Sequence, residues 1–419
     1  MPATEKTLRQ GLAALLTGNG LVQVGSLALA PILTRLYAPE DFGVLALVMI
    51  GAGLVAMVGT LRLEYAVIIP RSDAEGAAVL RTALLTLLLT AALAGVLYIV
   101  LRPVAAVGPA LRHWGWIGIF IGTMMGLYQV FFQYRIRRKA YRRAAVGQAL
   151  TGLGYPVAAI LYGRLVGASA DGLLYGMGGA YAAAALITMP APQVLRQTAR
   201  ISMGQVLRRF RRFPLFNLPH ALINFGSGNL PYLMIAGPFG KEAVGQVSMA
   251  IGKVFKGIQW WGGSLYPVLS REVMTCLHEG RPALPLVMRI VKRQAGYGLP
   301  LFAGLGVAAP WFFGWFFGPQ WDVAGRYLRY LLPWLFMVFL TGPLSFIPNV
   351  LGRQKGALGW EVFSLVLRLA GIGIGVAMGS IEGALAGYSA AGVISLGLLF
   401  RWYIRLLARQ DAHHQNAAR

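Results

Sequence analysis

The sequence predicts an all-α polytopic membrane protein. About twelve transmembrane helices form two pseudo-two-fold related six-helix lobes around a central cationic cavity. Three observations lead there. First, 57% of the 419 residues are hydrophobic and only 12% are charged, about half the charged share of a soluble domain. A water-soluble chain could not hide that much apolar surface. Second, twelve apolar runs reach the roughly 20 residues that a bilayer-spanning helix needs. They are continuous rather than alternating, which indicates helices and not a barrel. Third, a turn signature recurs at the start of each half.

In order, the runs are 10–36, 42–69, 78–101, 114–134, 144–165, 172–191, 215–239, 243–269, 286–313, 323–349, 357–378 and 383–407. The first and second are joined by Tyr37-Ala38-Pro39-Glu40-Asp41-Phe42-Gly43. The seventh and eighth are joined by Phe239-Gly240-Lys241-Glu242-Ala243-Val244-Gly245. Aromatic, Glu and Gly recur at the same offsets, and each copy opens a six-helix half. An even helix count gives both halves the same orientation, hence a pseudo-two-fold axis along the membrane normal. The expected organisation is an N-lobe at 1–195, a basic linker at 196–213, a C-lobe at 214–408 and a short tail at 409–419. Seven of the ten tryptophans lie near helix ends, as interfacial belts do. Pro156, Pro219, Pro231, Pro267, Pro333, Pro343 and Pro348 fall inside the expected helices and predict kinks.

Lysine and arginine number 38 against 14 acidic residues, a net charge of +24. In a soluble chain this would suggest nucleic acid. Here 27 of the 38 fall in alternate segments on the side of the N-terminus, seven on the other side and four within helices. That asymmetry predicts both termini inside. Its basic loops suit anionic lipid headgroups, and no nucleic-acid partner is expected. The single cysteine, Cys276, excludes an intramolecular disulfide. No convergent His, Cys and carboxylate set suggests a metal site. The polar first ten residues are not followed by a cleavable signal. No Walker A, G-x-S-x-G or H-E-x-x-H motif occurs, so no ATPase or hydrolase chemistry is expected.

Charges inside a bilayer are costly and mark cavities or partners. Arg62 and Glu64 fall on the second helix, Lys253 and Lys256 on the eighth, and Arg368 on the eleventh. Arg62 and Glu64, two apart on a helix, would point to nearly opposite faces and could not pair. Each would need another partner, by an interhelical salt bridge or by snorkelling. Lys253 and Lys256 share a mid-helix face with Gln246, Trp260 and Ser264. Matching polar stripes are Asn19, Gln23 and Ser26; Asn217, His220, Asn224 and Ser227; Thr341, Ser345 and Asn349; and Glu361, Ser364 and Arg368. Interhelical hydrogen bonding explains Ser and Thr equally well, but explains two mid-membrane lysines poorly. The candidate binding set is Lys253, Lys256, Arg62, Arg368, Trp260, Gln246, His220, Asn224, Asn217, Asn19 and Gln23. Glu64 is the candidate coupling carboxylate. His220 could titrate near neutrality or simply serve as a hydrogen-bonding wall residue.

Three stretches carry a family resemblance: residues 33–43 (LTRLYAPEDFG), 61–66 (LRLEYA) and 317–324 (FGPQWDVA). They resemble polysaccharide flippases of the Wzx type, within the multidrug/oligosaccharidyl-lipid/polysaccharide exporter superfamily. The resemblance implies export of undecaprenyl-diphosphate-linked O-antigen or exopolysaccharide units across a bacterial inner membrane. The chain stops at twelve helices, whereas lipid II flippases usually carry more, which argues against the peptidoglycan precursor. No cofactor is implied beyond a sodium or proton coupling ion. A monomer is expected, with contact to glycan-polymerase machinery as a further implication. A multidrug exporter is the alternative, but its cationic drugs would not suit an interior of net charge +3. A membrane glycan polymerase or ligase is less favoured, because the outer loops are too short to carry catalytic groups.

Overall fold

The computed structural model describes residues 20, 22–103, 109–196 and 201–417. The described residues are helical, without strands, and divide into two compact units, Met1–Leu222 and Ile223–Arg419. The helices are α1 (Val22–Leu36), α2 (Pro39–Gly59), α3 (Asp73–Leu101), α4 (Pro109–Arg137), α5 (Tyr141–Leu165) and α6 (Ala170–Thr188). One continuous stretch, Leu218–His278, breaks at Gly240 (φ 81°), giving α7 (218–239) and α8 (241–278). Then follow α9 (Leu284–Phe317), α10 (Asp322–Thr341), α11 (Gln354–Ala377) and α12 (Ile381–Ala417). Among the described residues, eight helical spans are long and apolar enough to cross a membrane, and α1 is a shorter apolar helix. The chain is a multi-pass membrane protein.

In the first unit, the α1–α2 turn is built by its own side chains. Asp41 Oδ2 accepts from the Ala38 amide at 3.0 Å, satisfying a donor at the start of α2. Tyr37 is buried, and its hydroxyl donates to the Ala159 carbonyl on α5 at 2.7 Å. Gly163 and Gly172 leave the room this ring needs: a Cβ at either position would strike Tyr37. Trp114 on α4 donates to Asp171 at the start of α6 at 2.7 Å. A π-turn at Leu150–Gly154 interrupts α5, and there Gly152 packs closely on Val22 of α1.

The second run ends earlier than the hydropathy predicts. α2 stops at Gly59, Leu61 and Arg62 adopt left-handed backbone conformations (φ 50° and 60°), and a 3-10 turn covers Leu63–Ile68. Arg137, at the end of α4, closes over this turn. Its guanidinium donates to the carbonyls of Val67 (3.2 Å), Pro70 (2.5 Å) and Ser72 (2.8 Å), and it pairs with Asp73 at 3.3 Å. Arg138 also pairs with Asp73, and Arg209 reaches Glu75 at 2.7 Å. Sequence reading treats these arginines as loop charge. In the structure Arg137 replaces hydrogen bonds that the broken backbone has lost, and Arg138 and Arg209 pair with the carboxylates of Asp73 and Glu75. Leu63, Val67, Leu80, Val130 and Phe210 pack a core beside them.

In the second unit, the sequence-predicted tenth run is also shorter. α10 ends at Thr341, with Pro343 in a 3-10 turn and Pro348 in a short helix at Ile347–Val350. Each proline stands at the first or second position of its turn or helix, where its missing N–H costs nothing. Ser345 and Asn349 therefore do not continue a stripe from Thr341 along one helix. α12 runs on through the expected tail, where Asp411 is buried and accepts from the amides of Ala283 and Leu284, each at 2.9 Å. That carboxylate caps the N-terminus of α9, where the helix dipole favours negative charge.

Candidate functional site

The second unit gathers an aromatic cluster around Arg368. This arginine lies half-buried on α11, and its Nε donates back to the Ser364 carbonyl at 3.2 Å. Nη1 donates to the Tyr388 hydroxyl at 3.2 Å, and Nη2 donates to Ser227 Oγ on α7. The guanidinium lies 6.0 Å from the Trp334 ring and 5.6 Å from the Tyr388 ring, which supports cation–π attraction. Trp334 meets Tyr388 edge-on at 5.1 Å and stacks with Phe255 at 6.3 Å. Its backbone amide donates to Ser389 Oγ at 3.2 Å. Pro333 explains that bond: its ring disturbs the turn before it, and the next amide finds a partner on α12. Arg368 is thus held by three helices, with no carboxylate to neutralise it among the described residues. Tyr388 and Trp334 are absent from the sequence-derived set. A mid-helix tyrosine hydroxyl needs a hydrogen-bond partner when buried, and that could have flagged Tyr388.

On α8, Lys253 is half-buried, with Nζ 5.5 Å from the centroid of Phe317. Lys256, one turn on, is exposed. Among the described residues neither lysine has a carboxylate partner. Gln246 does not share their exposed surface. It is buried, and its amide donates to the Gln320 carbonyl at 2.7 Å. That bond braces the Phe317–Trp321 turn, in which Gly318 has φ 117° and Trp321 is fully buried. Trp260 projects from the unit with 77% of its surface open. Trp334 is a tryptophan beside a cation, Arg368. Asn224 is exposed on α7.

The remaining candidates belong to the first unit. Asn217 closes a short π-turn before α7, while His220 and Gln23 present exposed side chains. Asn19 lies outside the described residues. Arg62 and Glu64, expected on opposite faces of a helix, instead pair at 3.4 Å. Leaving the helix at Thr60 and passing through two left-handed residues brings their side chains to one side. Glu64 is 2% exposed, and neither carboxylate oxygen accepts a hydrogen bond.

Lying past the end of the spanning helix, Glu64 has its pKa raised by burial, against the opposing effect of the Arg62 charge. A raised carboxyl favours the neutral form in the fold. Its contribution to stability is fully present below the unfolded-state value and is lost as pH rises through the folded value. Glu64→Gln should therefore keep normal abundance and flatten the dependence of melting temperature on pH from the acidic range to neutrality. Detergent melts across a pH series will read this. An unchanged pH slope would refute the burial argument, and a collapse in abundance would show that the ion pair dominates.

Comparisons with known proteins extend these observations. Residues 32–325 match the family described as polysaccharide biosynthesis protein. Among solved structures, an inward-facing multidrug resistance MATE family transporter of the MOP superfamily aligns with a TM-score of 0.69 and 16% identity. That alignment covers 92% of this chain and 95% of the other. The lipid II flippase MurJ, in an inward closed conformation, aligns with a TM-score of 0.73 and 10% identity, covering 96% of this chain and 90% of the other. At these identities the likeness is one of fold. No curated protein matches the sequence. The fold is that of two-lobed, twelve-helix transporters, and the family match runs from α1 into α10: this chain belongs to the polysaccharide biosynthesis protein family.

Proposed function

We propose that this protein is a flippase. It carries undecaprenyl-diphosphate-linked oligosaccharide, an O-antigen or exopolysaccharide repeat unit, from the inner to the outer leaflet of a bacterial cytoplasmic membrane. The observation that carries the reading is the pair Lys253 and Lys256, one turn apart on α8 in an apolar run of the sequence and unneutralised by any described carboxylate. A diphosphate supplies the missing negative charge through charge-assisted hydrogen bonds. Arg368 adds a third cation in the same unit, and the aromatic faces of Trp334 and Tyr388 suit sugar rings. The three cations Lys253, Lys256 and Arg368 would repel a cationic drug, which disfavours the multidrug reading. The excess of arginine and lysine in alternate loops supports a cytoplasmic location for both termini.

Transport needs no ATPase in this reading. The substrate diphosphate carries about two negative charges, and each is worth about 2.3 kcal/mol per 100 mV. An outside-positive potential therefore favours export by roughly 4–5 kcal/mol per 100 mV while the lysines stay nearly fixed in the field. The test is flipping of a lipid-diphosphate oligosaccharide by the purified chain in proteoliposomes. Export should accelerate when the receiving side is made positive. Flipping that ignores the potential yet stops without sodium or proton gradients would replace this drive by ion exchange. No flipping of the glycan lipid at all would overturn the function.

A further inference from the structure

A groove of about 420 Å³ lies within the second unit, between α8, α9 and α10. Its walls are apolar and aromatic: Trp261, Tyr297, Leu301 and Phe339 border it. From Ile290 to Leu301 it follows α9 for about 16 Å at 1.5 Å per residue. That is about half of the roughly 30 Å hydrocarbon core, the depth of one leaflet. Gly298 lets Phe339 and Phe336 approach the α9 backbone and close the floor.

One end of the groove is polar. Arg293 borders it and lies 5.8 Å from the Tyr297 ring. Gln294 is 4% exposed; its amide reaches the Phe339 carbonyl at 3.5 Å, while its Oε1 accepts nothing. The first turns of α9 carry Arg289, Lys292 and Arg293, and the helix contains no acidic residue. A hydrocarbon chain alone would satisfy the walls but leave this cationic end without a counter-charge.

We propose that the groove is a binding site for one anionic glycerophospholipid of the membrane. An acyl chain lies against Trp261, Leu301 and Phe339, and the phosphate sits at Arg293. The interfacial water or polar head that accompanies the phosphate supplies the donor that Gln294 lacks. The groove lining includes none of Lys253, Lys256 and Arg368, and the proposal does not depend on what the protein transports.

Trp261 makes the proposal measurable. The full-length protein is reconstituted in phosphatidylcholine vesicles containing increasing fractions of dibrominated phosphatidylglycerol or dibrominated phosphatidylcholine. Tryptophan fluorescence is recorded for the wild type and for Trp261→Phe, and the difference isolates the groove. Trp261 should be half-quenched at about five-fold less brominated phosphatidylglycerol than brominated phosphatidylcholine, the preference one well-placed arginine gives near a membrane surface. Arg293→Gln should remove that preference, and Arg293→Lys should keep most of it. Equal quenching by the two lipids in the wild type, or a preference that survives Arg293→Gln, would overturn the proposal. Displacement of brominated phosphatidylglycerol by undecaprenyl phosphate, but not by unbrominated phosphatidylglycerol, would assign the groove to the transported lipid and also overturn it.

Discussion

Gly375→Ala is expected to destabilise the protein by about 2–3 kcal/mol, while Gly359→Ala, the same change on the same helix, is expected to be neutral or stabilising. The difference lies in what each new methyl meets. At Gly375 it would fall on the backbone nitrogen and Cα of Ala384 in α12. At Gly371, one turn earlier, it would fall on the carbonyl of Gly387, and the reverse substitution at Gly387 would strike Gly371. Backbone atoms have no alternative rotamer, so the two helices must separate. Overpacking of this kind costs roughly 1–3 kcal/mol and occasionally more. In a membrane the close approach of helix backbones is itself a main source of association. Gly359 meets nothing within 4 Å, so alanine there should gain up to about 1 kcal/mol of helix propensity. Detergent melts and membrane abundance of the two variants will decide. Equal melting temperatures would mean that α11 and α12 do not pack through these glycines.

The second large effect concerns transport. The double variant Lys253→Ala with Lys256→Ala should reach the membrane at normal abundance and export almost no glycan. Each lysine is asked to supply a charge-assisted hydrogen bond to a diphosphate, worth about 1.5–3 kcal/mol. Together they account for roughly 3–6 kcal/mol, or about a hundred-fold to ten-thousand-fold in binding. The fold should not suffer, because removing two cations one turn apart relieves mutual repulsion and lifts the cost of half-burying Lys253. Arginine at both positions should restore much of the export, since the charge is retained. Accumulated inner-leaflet lipid-linked oligosaccharide and surface glycan are the measurements. Wild-type export by the double variant, at equal abundance, would make the lysines structural and remove the main support for the flippase reading.

The twelve helices were legible because hydropathy integrates over twenty residues and tolerates single exceptions. Their ends were less so. α2 ends ten residues before its apolar run does, because left-handed conformations at Leu61 and Arg62 stop it, and neither residue type announces that geometry. The same break reverses the expectation for Arg62 and Glu64, which was correct only for a continuous helix. The half-buried cation at 368 could be read from the sequence. Its aromatic partners could not, since Trp334 and Tyr388 come to it from other helices across apolar runs without pattern. The stretches that carry the family resemblance turn out to be packing devices: Tyr37 anchors α5, and Trp321 fills the unit beneath a turn braced by Gln246. Gly371, Gly375 and Gly387 are positions of close helix contact, and the four-residue spacing of Gly371 and Gly375 was a signal available from the start.

The clasp made by Arg137 sets an order of events during synthesis. The carbonyls it satisfies, at Val67, Pro70 and Ser72, precede it by 65 to 70 residues. At about 5–20 residues per second the chain needs roughly 3–14 seconds to deliver the guanidinium after those carbonyls have emerged. Over that interval the first two helices are a hairpin with an unfinished exit, its peptide groups hydrated at the membrane surface and its left-handed residues free to relax. Helix insertion and tertiary completion of the N-terminal unit are therefore separate steps. The second waits for the end of α4, and a nascent chain stalled before residue 137 should present the 63–72 segment to proteases that the finished protein excludes.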